Sequence, residues 1–339
     1  MRHINSIIFL FVVLFLASCS TGPRLKAPYT IVFYNVENLF DTIKSPTKID
    51  HEFLPNSPKE WNSERYFKKL SDLAKVISKI DTINLPVIVG LCEVENDVVL
   101  TDLALQDQLK HANYKIIWEE GPDVRGIDCA MLYNPKVFTL QSYEYIPVVD
   151  PDDADFITRD ILYVKGLINK ELFHFFVNHW PSRRGGADDS APRRILAAKV
   201  LRQKVDLIFA ENKQPNIIIM GDKNDEPSDM SLSDILVALP NSIVPNDHDL
   251  INLMYDEYEQ NMGSYSYQGN WDMIDNIIVS GYLINKEKGL KSDLDNGFIF
   301  HRPFMEFINN NGQMSPNRTY GRSYFGGISD HFPVYMILE

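Results

Sequence analysis

Residues 216–225 read NIIIMGDKND, a short apolar run that breaks off into polar residues. A β-branched run of this length, bounded by turn-forming residues, is typical of a buried strand. Asp222 and Asn224 therefore lie where the chain leaves a sheet, and a polar side chain at such a point is held on a rigid element. This pattern recurs along the chain, and it predicts both the fold and the site.

Five other apolar stretches carry polar residues at one end. These residues are Asn35, Glu93, His179, Asp275 and the pair Asp330 and His331. Turn formation or strand termination explains any one of them. Turns alone do not account for all six positions together, so we expect the side chains to form one site.

Short apolar segments predict a mixed α/β architecture. The predicted strands are 29–36, 86–92, 114–118, 127–133, 138–149, 161–168, 172–178, 216–220, 273–280 and 332–338. Apolar residues at helical spacing predict helices over 63–80, 98–109, 192–209 and 230–239. Many strands interleaved with about four helices favour an α/β sandwich in which helices cover the sheet faces.

Composition excludes several classes of protein. The chain has 339 residues, of which 45% are hydrophobic and 23% charged, so it is neither a disordered tail nor a fibre. Three cysteines exclude a disulfide framework. A net charge of −13 argues against a binder whose affinity comes from neutralising many phosphates. The negative charge is compatible with an enzyme that contacts only a few phosphates, because metal sites are themselves built from carboxylates.

The first residues form a targeting segment. Arg2 is followed by the apolar run 7–16 (IIFLFVVLFL), which is too short to cross a bilayer. Residues 16–19 (LASC) resemble the bacterial lipoprotein box, in which Cys19 is lipidated and becomes the mature N-terminus. The alternative is a plain secretory signal that is cleaved nearby.

The lipoprotein interpretation divides the chain into three parts. These are a signal peptide (1–18), a lipid-anchored tether (19–28) and one domain (29–339). We expect the domain to lie outside the cytoplasm, anchored through Cys19 to the bacterial cell envelope, and Ser20 resembles the residue found in lipoproteins sent to the outer membrane. That compartment permits a disulfide between Cys92 and Cys129, but the apolar stretch around each favours two buried free thiols.

The polar residues at the strand ends have a common chemistry. Glu93, Asp222 and Asp330 offer carboxylate oxygens, and Asn35 and Asn224 offer amide oxygens. Such hard ligands suit Mg²⁺, or Mn²⁺, better than a metal that prefers thiolates. Zinc is disfavoured because the chain has neither HExxH nor CxxC spacing.

Two histidines complete this set. His179 and His331 can move protons near neutral pH, and a carboxylate such as Asp275 beside His331 would fix its tautomer and favour the imidazolium. An oxygen-bound metal together with an oriented histidine is what water attack on a phosphoester requires.

Seven motifs occur in order along the chain. They are YNVENLF (34–40), GLCEVEN (90–96), RGIDCAMLYN (125–134), VNHWPSRRGG (177–186), MGDKND (220–225), DMIDNIIVS (272–280) and GGISDHFPVY (326–335). Together they resemble the endonuclease/exonuclease/phosphatase superfamily, which includes deoxyribonuclease I, exonuclease III, sphingomyelinases and inositol polyphosphate 5-phosphatases. The resemblance implies a four-layer α/β sandwich, two packed mixed β-sheets flanked by helices, with the site at one rim between the sheets.

The resemblance also implies roles for the metal and the water. Asn35 and Glu93 match the metal-binding pair of the family, and Asp330 matches its third acidic ligand. Asp222 matches the aspartate that orients or deprotonates the attacking water, and Asn224 matches the partner that holds the phosphate.

Roles for the histidines follow from the same resemblance. His331, paired with Asp275, matches the histidine that contacts the scissile phosphate. His179 lies where the nuclease branches place a residue against the phosphate or the leaving oxygen. Asp128 lies in a motif typical of the family and is a candidate substrate-binding residue, with a salt bridge near a strand edge as the alternative.

Three features depart from the family pattern. Between Asp222 and Asn224, Lys223 replaces the usual aromatic or aliphatic residue. Its side chain either puts a charge beside the site or turns outward. Asn276 stands where His or Gln often follows the aspartate. The Trp before Gly-Asp and the late Cys-Asp-Arg of the inositol phosphatases are absent, which disfavours a 5-phosphatase.

Arginines surround the glycine-rich loop after His179. Because guanidinium groups suit phosphate oxygens, Arg183, Arg184 and Arg194 are predicted to bind substrate. The alternative is a solvated loop in which the arginines pair with Asp188 and Asp189.

These observations predict an enzyme, a metal-dependent phosphodiester hydrolase of the endonuclease type, with Mg²⁺ or Mn²⁺ as cofactor. Its expected partners are a nucleic acid or another phosphodiester and, through Cys19, the membrane; we expect a monomer. One alternative keeps the chemistry but takes a phospholipid headgroup or a sugar phosphate. Another is a non-catalytic binding lipoprotein on the same scaffold.

Overall fold

The computed structural model of the chain describes residues 25–321 and 323–339. The predicted signal peptide, Cys19 and the tether up to residue 24 lie outside the described residues. Within these two ranges, no helix is long and apolar enough to span a membrane.

The first sheet has six strands. They are β1 (Tyr29–Leu39), β2 (Ile88–Val94), β3 (Lys115–Ile117), β4 (Asp128–Tyr133), β14 (Gly297–Ile299) and β17 (Val334–Leu338). Their order across the sheet is β14-β17-β1-β2-β4-β3. β1 runs parallel to β2 and antiparallel to β17, so the sheet is mixed.

The second sheet has seven strands. They are β5 (Phe138–Ile146), β6 (Ile161–Ile168), β7 (Glu171–His179), β8 (Asn216–Asp222), β9 (Ala238–Pro240), β10 (Leu250–Asn252) and β13 (Asp275–Ser280). Their order is β5-β6-β7-β8-β13-β10-β9, with β7 parallel to β8. Two hairpins lie outside the sheets: β11 (Tyr265–Tyr267) with β12 (Asn270–Asp272), and β15 (Glu306–Ile308) with β16 (Met314–Pro316).

Helices connect and cover the strands. They are α1 (Ser63–Ile80), α2 (Asp97–Ala104), α3 (Ala187–Glu211), α4 (Tyr255–Glu259) and α5 (Gly281–Asn285), with a π-helical segment at Ser231–Leu236 and 3₁₀ turns at Lys110–Ala112 and Pro303–Met305. Asparagine caps fix where two of them begin, because Asn62 accepts from the Arg65 N–H at 3.1 Å and Asn96 from the Val99 N–H at 2.9 Å.

Three hydrophobic clusters separate four layers. On β1, Ile31 and Phe33 face the second sheet, whereas the alternate residues Val32 and Tyr34 pack toward α1. β8 follows the same rule, with one face toward the first sheet and the other against α3. The predicted α/β sandwich of two packed mixed sheets flanked by helices is confirmed.

The predicted elements are present with shifted ends. Each of the ten predicted strands overlaps an observed strand, and α1 has the predicted bounds. The predicted helix 98–109 ends at Ala104, and 192–209 begins at Ala187, so Pro192 lies inside α3 rather than at its start. The predicted α-helix over 230–239 is wrong, because a π-helical segment there is followed by the strand β9.

The two remaining cysteines lie opposite each other on neighbouring strands. Cys92 of β2 is in register with Cys129 of β4, and both side chains are buried between the sheets. Both are free thiols, as their apolar surroundings predicted.

Candidate active site

The strand ends meet at one rim of the sandwich. β7 and β8 are parallel and end together, which places His179 beside Asp222. β13 runs the other way and begins with Asp275 opposite Asp222. In the first sheet, the parallel strands β1 and β2 bring Asn35 and Glu93 toward the same rim. The polar residues at the strand ends therefore lie together in one cluster.

Irregularities in the backbone direct these side chains toward the site. The pairing register shifts after Asn35 in β1 and after Cys92 in β2. Glu93 follows the second shift with φ +63°, a left-handed conformation that is rare for glutamate, and Asn224 has φ +51°. Such bulges re-aim a side chain at the edge of a sheet.

His331 and Asp275 form a buried pair. Nδ1 of His331 lies 2.7 Å from Oδ2 of Asp275, which also accepts from the Ser264 hydroxyl. Burial opposes the charged form, but the Asp275 carboxylate outweighs it and raises the pKa of His331 to about 10. The ring packs against Tyr265, with centroids 4.8 Å apart. His331 is therefore an imidazolium at neutral pH.

Asp222 lies at the centre of the cluster. It accepts from Asn35 Nδ2 at 3.0 Å and from the Asn224 N–H at 2.9 Å. Burial, together with the neighbouring charge of Asp275, raises the pKa of Asp222 to about 7. A carboxylate with this pKa can take a proton from water at neutral pH.

His179 differs from His331 in its charge. Its side chain is buried, and within the described part of the chain its Nδ1 has no hydrogen-bond partner. Burial, and then the charge of Arg159, hold the pKa of His179 well below its usual range. Its Nε2 lies 3.6 Å from Asp222 and 3.9 Å from Glu93. His179 is therefore neutral and lies next to both carboxylates.

Within the described residues, Glu93 and Asp330 each have one carboxylate oxygen held by a hydrogen bond and one without a donor. Oε2 of Glu93 accepts from the Asn38 N–H at 2.8 Å, and Oδ2 of Asp330 accepts from Arg318 at 3.0 Å. Their other oxygens have no donor among residues 25–321 and 323–339, and both side chains line the cavity described below. One anchored and one open oxygen on each carboxylate fit a divalent cation.

Asn35 has less freedom than the prediction assumed. Its Oδ1 accepts from the Glu37 N–H at 3.0 Å, which leaves one lone pair for a metal. Asp222, Asp275 and His331 also offer ligand atoms within 4.8 Å of one another. Because Nδ1 of His331 is already bonded to Asp275, this group is first a hydrogen-bonded network.

A cavity of about 710 Å³ opens over this cluster. The predicted site residues that line it are Glu93, His179, Arg183, Arg184, Asp222, Asn224, Asp330 and His331. Asn35 and Asp275 lie behind the lining and bond to residues in it.

Arg194 is not at the cavity, contrary to its predicted contact with substrate. Its side chain is 1% exposed, and it donates to Asp225 at 2.5 Å, to Ser190 Oγ at 2.7 Å and to the Ala187 carbonyl at 2.8 Å. The bond to Asp225 ties α3 to the loop after β8, and the other two lie within α3. The guanidinium makes structural hydrogen bonds instead of contacting substrate, because the face of α3 that carries it is buried.

Asp128 also lies away from the cavity lining. Its Oδ1 accepts from the Gly121 N–H at 3.1 Å, and burial raises the pKa of Asp128 to about 7. In the described structure it makes neither a substrate-facing contact nor the salt bridge that was its alternative. Asp128 instead holds the turn before β4.

The departures from the family pattern are buried. Lys223 turns inward rather than outward, its Nζ lies 5.0 Å from the centre of the Trp180 ring, and burial lowers its pKa to about 7. Asn276 is buried as well and accepts from Asn252 Nδ2 at 2.8 Å. Neither residue lines the cavity.

Three contributors were missed from the sequence. Ser264 bonds to Asp275, Arg318 to Asp330, and Arg159 donates to the His179 carbonyl at 3.1 Å. Arg159 lies just before β6, so it fits the pattern of polar residues at strand ends that predicted the other site residues. Ser264 and Arg318 lie in loops whose sequence carries no comparable signal.

Comparisons with known proteins place this fold. A search of curated proteins found no match. Among solved structures, Bacteroides thetaiotaomicron mannosyl-6-phosphatase has a TM-score of 0.57 at 16% identity, covering 92% of this chain and 99% of the other. D. rerio TDP2 complexed with single strand DNA product has a TM-score of 0.56 at 13% identity, covering 93% and 100%. Truncated Caenorhabditis elegans TDP2 has 0.56 at 16% identity, covering 91% and 97%. At these identities, the likeness shows the fold.

The sequence itself decides membership. The model of the endonuclease/exonuclease/phosphatase family matches residues 30–339, which is nearly the whole described chain. The chain belongs to the endonuclease/exonuclease/phosphatase family, whose enzymes are phosphoesterase hydrolases.

Proposed function

We propose that this chain is a metal-dependent phosphodiester hydrolase of the nuclease type. The observation that carries the proposal is the environment of Asp222. This carboxylate has a pKa near neutrality and lies in one cavity with an imidazolium, a neutral histidine and two partly open carboxylates. That set provides a base, a cation for the phosphate and oxygen ligands for a metal.

Asp222 is the proposed general base. Asn35 and the backbone N–H of Asn224 hold it in place, so its free lone pairs are directed at a water in the cavity. Removing a proton from that water generates the nucleophile that attacks phosphorus. Asn224 Nδ2 donates one of its two hydrogens to the Trp180 carbonyl at 3.1 Å, so the other hydrogen remains available to the phosphate.

The histidines have different tasks. His331, kept positive by Asp275, stabilises the negative charge that develops on the phosphate oxygens. His179 is neutral and donates or accepts a single hydrogen bond at the phosphate or the leaving oxygen.

The metal would be held by Glu93 and Asp330, with Asn35 through its remaining lone pair. When bound, Mg²⁺ or Mn²⁺ would supply Lewis-acid neutralisation of the phosphate. Arg318 and the Asn38 N–H fix the far oxygen of each carboxylate, which leaves the near oxygens directed at the cavity.

Asp222→Ala and His331→Ala test these assignments. Each should abolish Mg²⁺-dependent cleavage of plasmid DNA while the circular dichroism spectrum stays that of the wild type. Asp188→Ala, an exposed position on α3, serves as the control that should cleave normally. Wild-type cleavage by either site variant would overturn the assignment.

The substrate needs a separate test because the family includes phosphatases as well as nucleases. A panel of plasmid DNA, RNA, sphingomyelin, inositol phosphates and bis(p-nitrophenyl) phosphate, each with and without EDTA, separates the alternatives. Hydrolysis of DNA or RNA supports the nuclease. Turnover of a lipid or sugar phosphate alone would favour the alternative substrates, and no turnover at all would favour a binding lipoprotein.

We further propose that Cys19 anchors the chain to the cell envelope. β1 begins at Tyr29, six residues before Asn35, so the predicted tether joins the domain about 20 Å of strand away from the site. Cys19→Ser should move the protein from the membrane to the soluble fraction, whereas unchanged fractionation would contradict the anchor.

A further inference from the structure

A buried carboxylate of β1 holds part of the chain that leads to Asp330. Glu37 is 4% exposed and has a left-handed φ of +48°. Its Oε2 accepts from the Thr319 N–H at 2.6 Å, and its Oε1 accepts from the Tyr320 N–H at 3.2 Å. A buried carboxylate is costly without such donors, so Glu37 fixes the position of the segment 317–321, which follows β16.

A buried ammonium holds the same segment to α1. Lys69 is 2% exposed, and its Nζ donates to Thr319 Oγ1 at 2.6 Å and to the Ile328 carbonyl at 2.9 Å. Thr319 therefore has its N–H bound by a carboxylate and its hydroxyl bound by an ammonium. Because a buried ion that loses its partners is strongly destabilising, these two contacts are not easily exchanged for others.

Arg318 connects this segment to Asp330. Its Nε lies 3.5 Å from Glu37 Oε1, and one of its terminal nitrogens donates to Asp330 Oδ2 at 3.0 Å. The guanidinium is planar and rigid, so it sets the separation between the two carboxylates. Its side chain is 45% exposed, and ion pairs of exposed groups add little to the stability of a fold. The bridge therefore matters more for the direction of the Asp330 side chain than for stability.

The backbone beside Asp330 has a support of its own. Ser329 Oγ donates to the Asn35 carbonyl at 2.7 Å and accepts from the His331 N–H at 3.1 Å. Loss of Arg318 would therefore free the side chain of Asp330 but leave its backbone in place. An effect on metal binding can thus be separated from unfolding.

We propose that Glu37 is a positioning residue, which acts through Arg318 to direct the open oxygen of Asp330 toward the metal. Glu37 does not line the cavity, and both of its oxygens already accept hydrogen bonds, so it is not itself a ligand. The inference rests on the proposed metal-dependent function, since it takes Asp330 as a ligand. Residues that orient a ligand without touching the metal typically change its affinity by about 10–100-fold.

The charge of Arg318 makes the direction of the effect informative. A positive charge beside a cation site weakens binding, so Arg318→Met would bind the metal more tightly if charge alone mattered. If Arg318 instead orients Asp330, the same change should weaken binding. Glu37→Asp complements it, because this variant keeps the negative charge but shortens the side chain.

A double-mutant cycle on Mn²⁺ binding tests the proposal. Electron paramagnetic resonance would measure free Mn²⁺ during titration of the metal-free, full-length protein, which gives Kd without any turnover. Arg318→Met and Glu37→Asp should each raise Kd about tenfold. The double variant should also raise it about tenfold, because both changes break the same bridge. Arg318→Lys should lie between the wild type and Arg318→Met, since one ammonium cannot span both carboxylates as the guanidinium does.

A matched control and a second readout complete the experiment. Arg193→Met removes the same charge from an exposed position of α3 outside the cavity lining, and Kd should not change. The proposal is overturned if Arg318→Met binds Mn²⁺ at least as tightly as the wild type, or if the double variant raises Kd about a hundredfold, as two independent effects would. Wild-type hydrolysis of bis(p-nitrophenyl) phosphate in Mg²⁺ with either result would leave the proposed function intact. A wild type that neither binds Mn²⁺ nor hydrolyses this substrate would overturn that function, and this inference with it.

Discussion

Nδ1 of His331 and Oδ2 of Asp275 are 2.7 Å apart, although 56 positions separate the two residues in the chain. The pair joins the two sheets, because Asp275 begins β13 of the second sheet and His331 precedes β17 of the first. Packing of the sandwich therefore sets the charge of a histidine at its rim.

Asp275→Asn should remove that charge. The largest influence that raises the pKa of His331 would be gone, so this pKa should fall from about 10 and less of the imidazolium should remain at neutral pH. We expect kcat to drop by about 10²–10⁴, as for the loss of a catalytic acid or base. Activity within a fewfold of the wild type at pH 7 would show that the cation is not needed.

Glu93→Gln and Asp330→Asn should impair metal binding itself. A ligand that binds only the folded state stabilises it by about 2.7 kcal/mol at a hundredfold excess over Kd, so Mg²⁺ should raise the Tm of the wild type. Either variant should lose most of this rise, whereas the exposed change Asp234→Asn should retain it. An undiminished rise in both site variants would place the metal elsewhere.

Arg194→Met should mainly affect stability. The change removes the 2.5 Å ion pair of the buried Asp225 carboxylate and leaves it only Arg183, at 3.9 Å, which costs about 3–5 kcal/mol of unfolding free energy. Adding Asp225→Leu should recover much of that loss, because the unpaired charge disappears. Denaturant unfolding gives both values, and a stable Arg194→Met protein with a raised KM would instead favour the predicted substrate role.

His174 should make the fold sensitive to acid. Burial lowers its pKa to about 4, whereas the unfolded chain has the ordinary value near 6.5, and the Tyr163 hydroxyl lies 2.6 Å from its Nδ1. The stabilisation is complete above pH 6.5 and is lost as pH falls toward 4, since the unfolded chain takes up the proton first. His174→Phe should lose less stability than the wild type between pH 7 and pH 4.5, with the exposed His111→Gln as control. Equal losses in all three proteins would contradict this.

The fold could be predicted where side chains alternate. On β1 and β8, successive apolar residues serve two different hydrophobic layers, and runs such as Ile217–Met220 indicate strands buried on both faces. The three-residue strands β9 to β12 are too short for a period to emerge. The π-helical turn at Ser231–Leu236 also lacked a signal, because its apolar residues fit ordinary helical spacing.

The site could be predicted where a polar residue ends a strand. Glu93, Asp222 and His179 meet because parallel strands end at the same rim. Proximity to the glycine-rich loop predicts a substrate contact for Arg194, but the sequence does not reveal which face of α3 is buried. The contact of Ser264 with Asp275 could not be predicted, because it depends on how the loop that carries Ser264 packs against β13.

The most direct test of the central claim is Mg²⁺-dependent hydrolysis of bis(p-nitrophenyl) phosphate by the wild type and by Asp222→Asn. The wild type should release p-nitrophenolate, lose this activity in EDTA and regain it with Mg²⁺. In Mg²⁺, Asp222→Asn should be slower than the wild type by about a thousandfold. Release that resists EDTA, or an Asp222→Asn rate equal to that of the wild type, would contradict a metal-dependent hydrolase with Asp222 as its base.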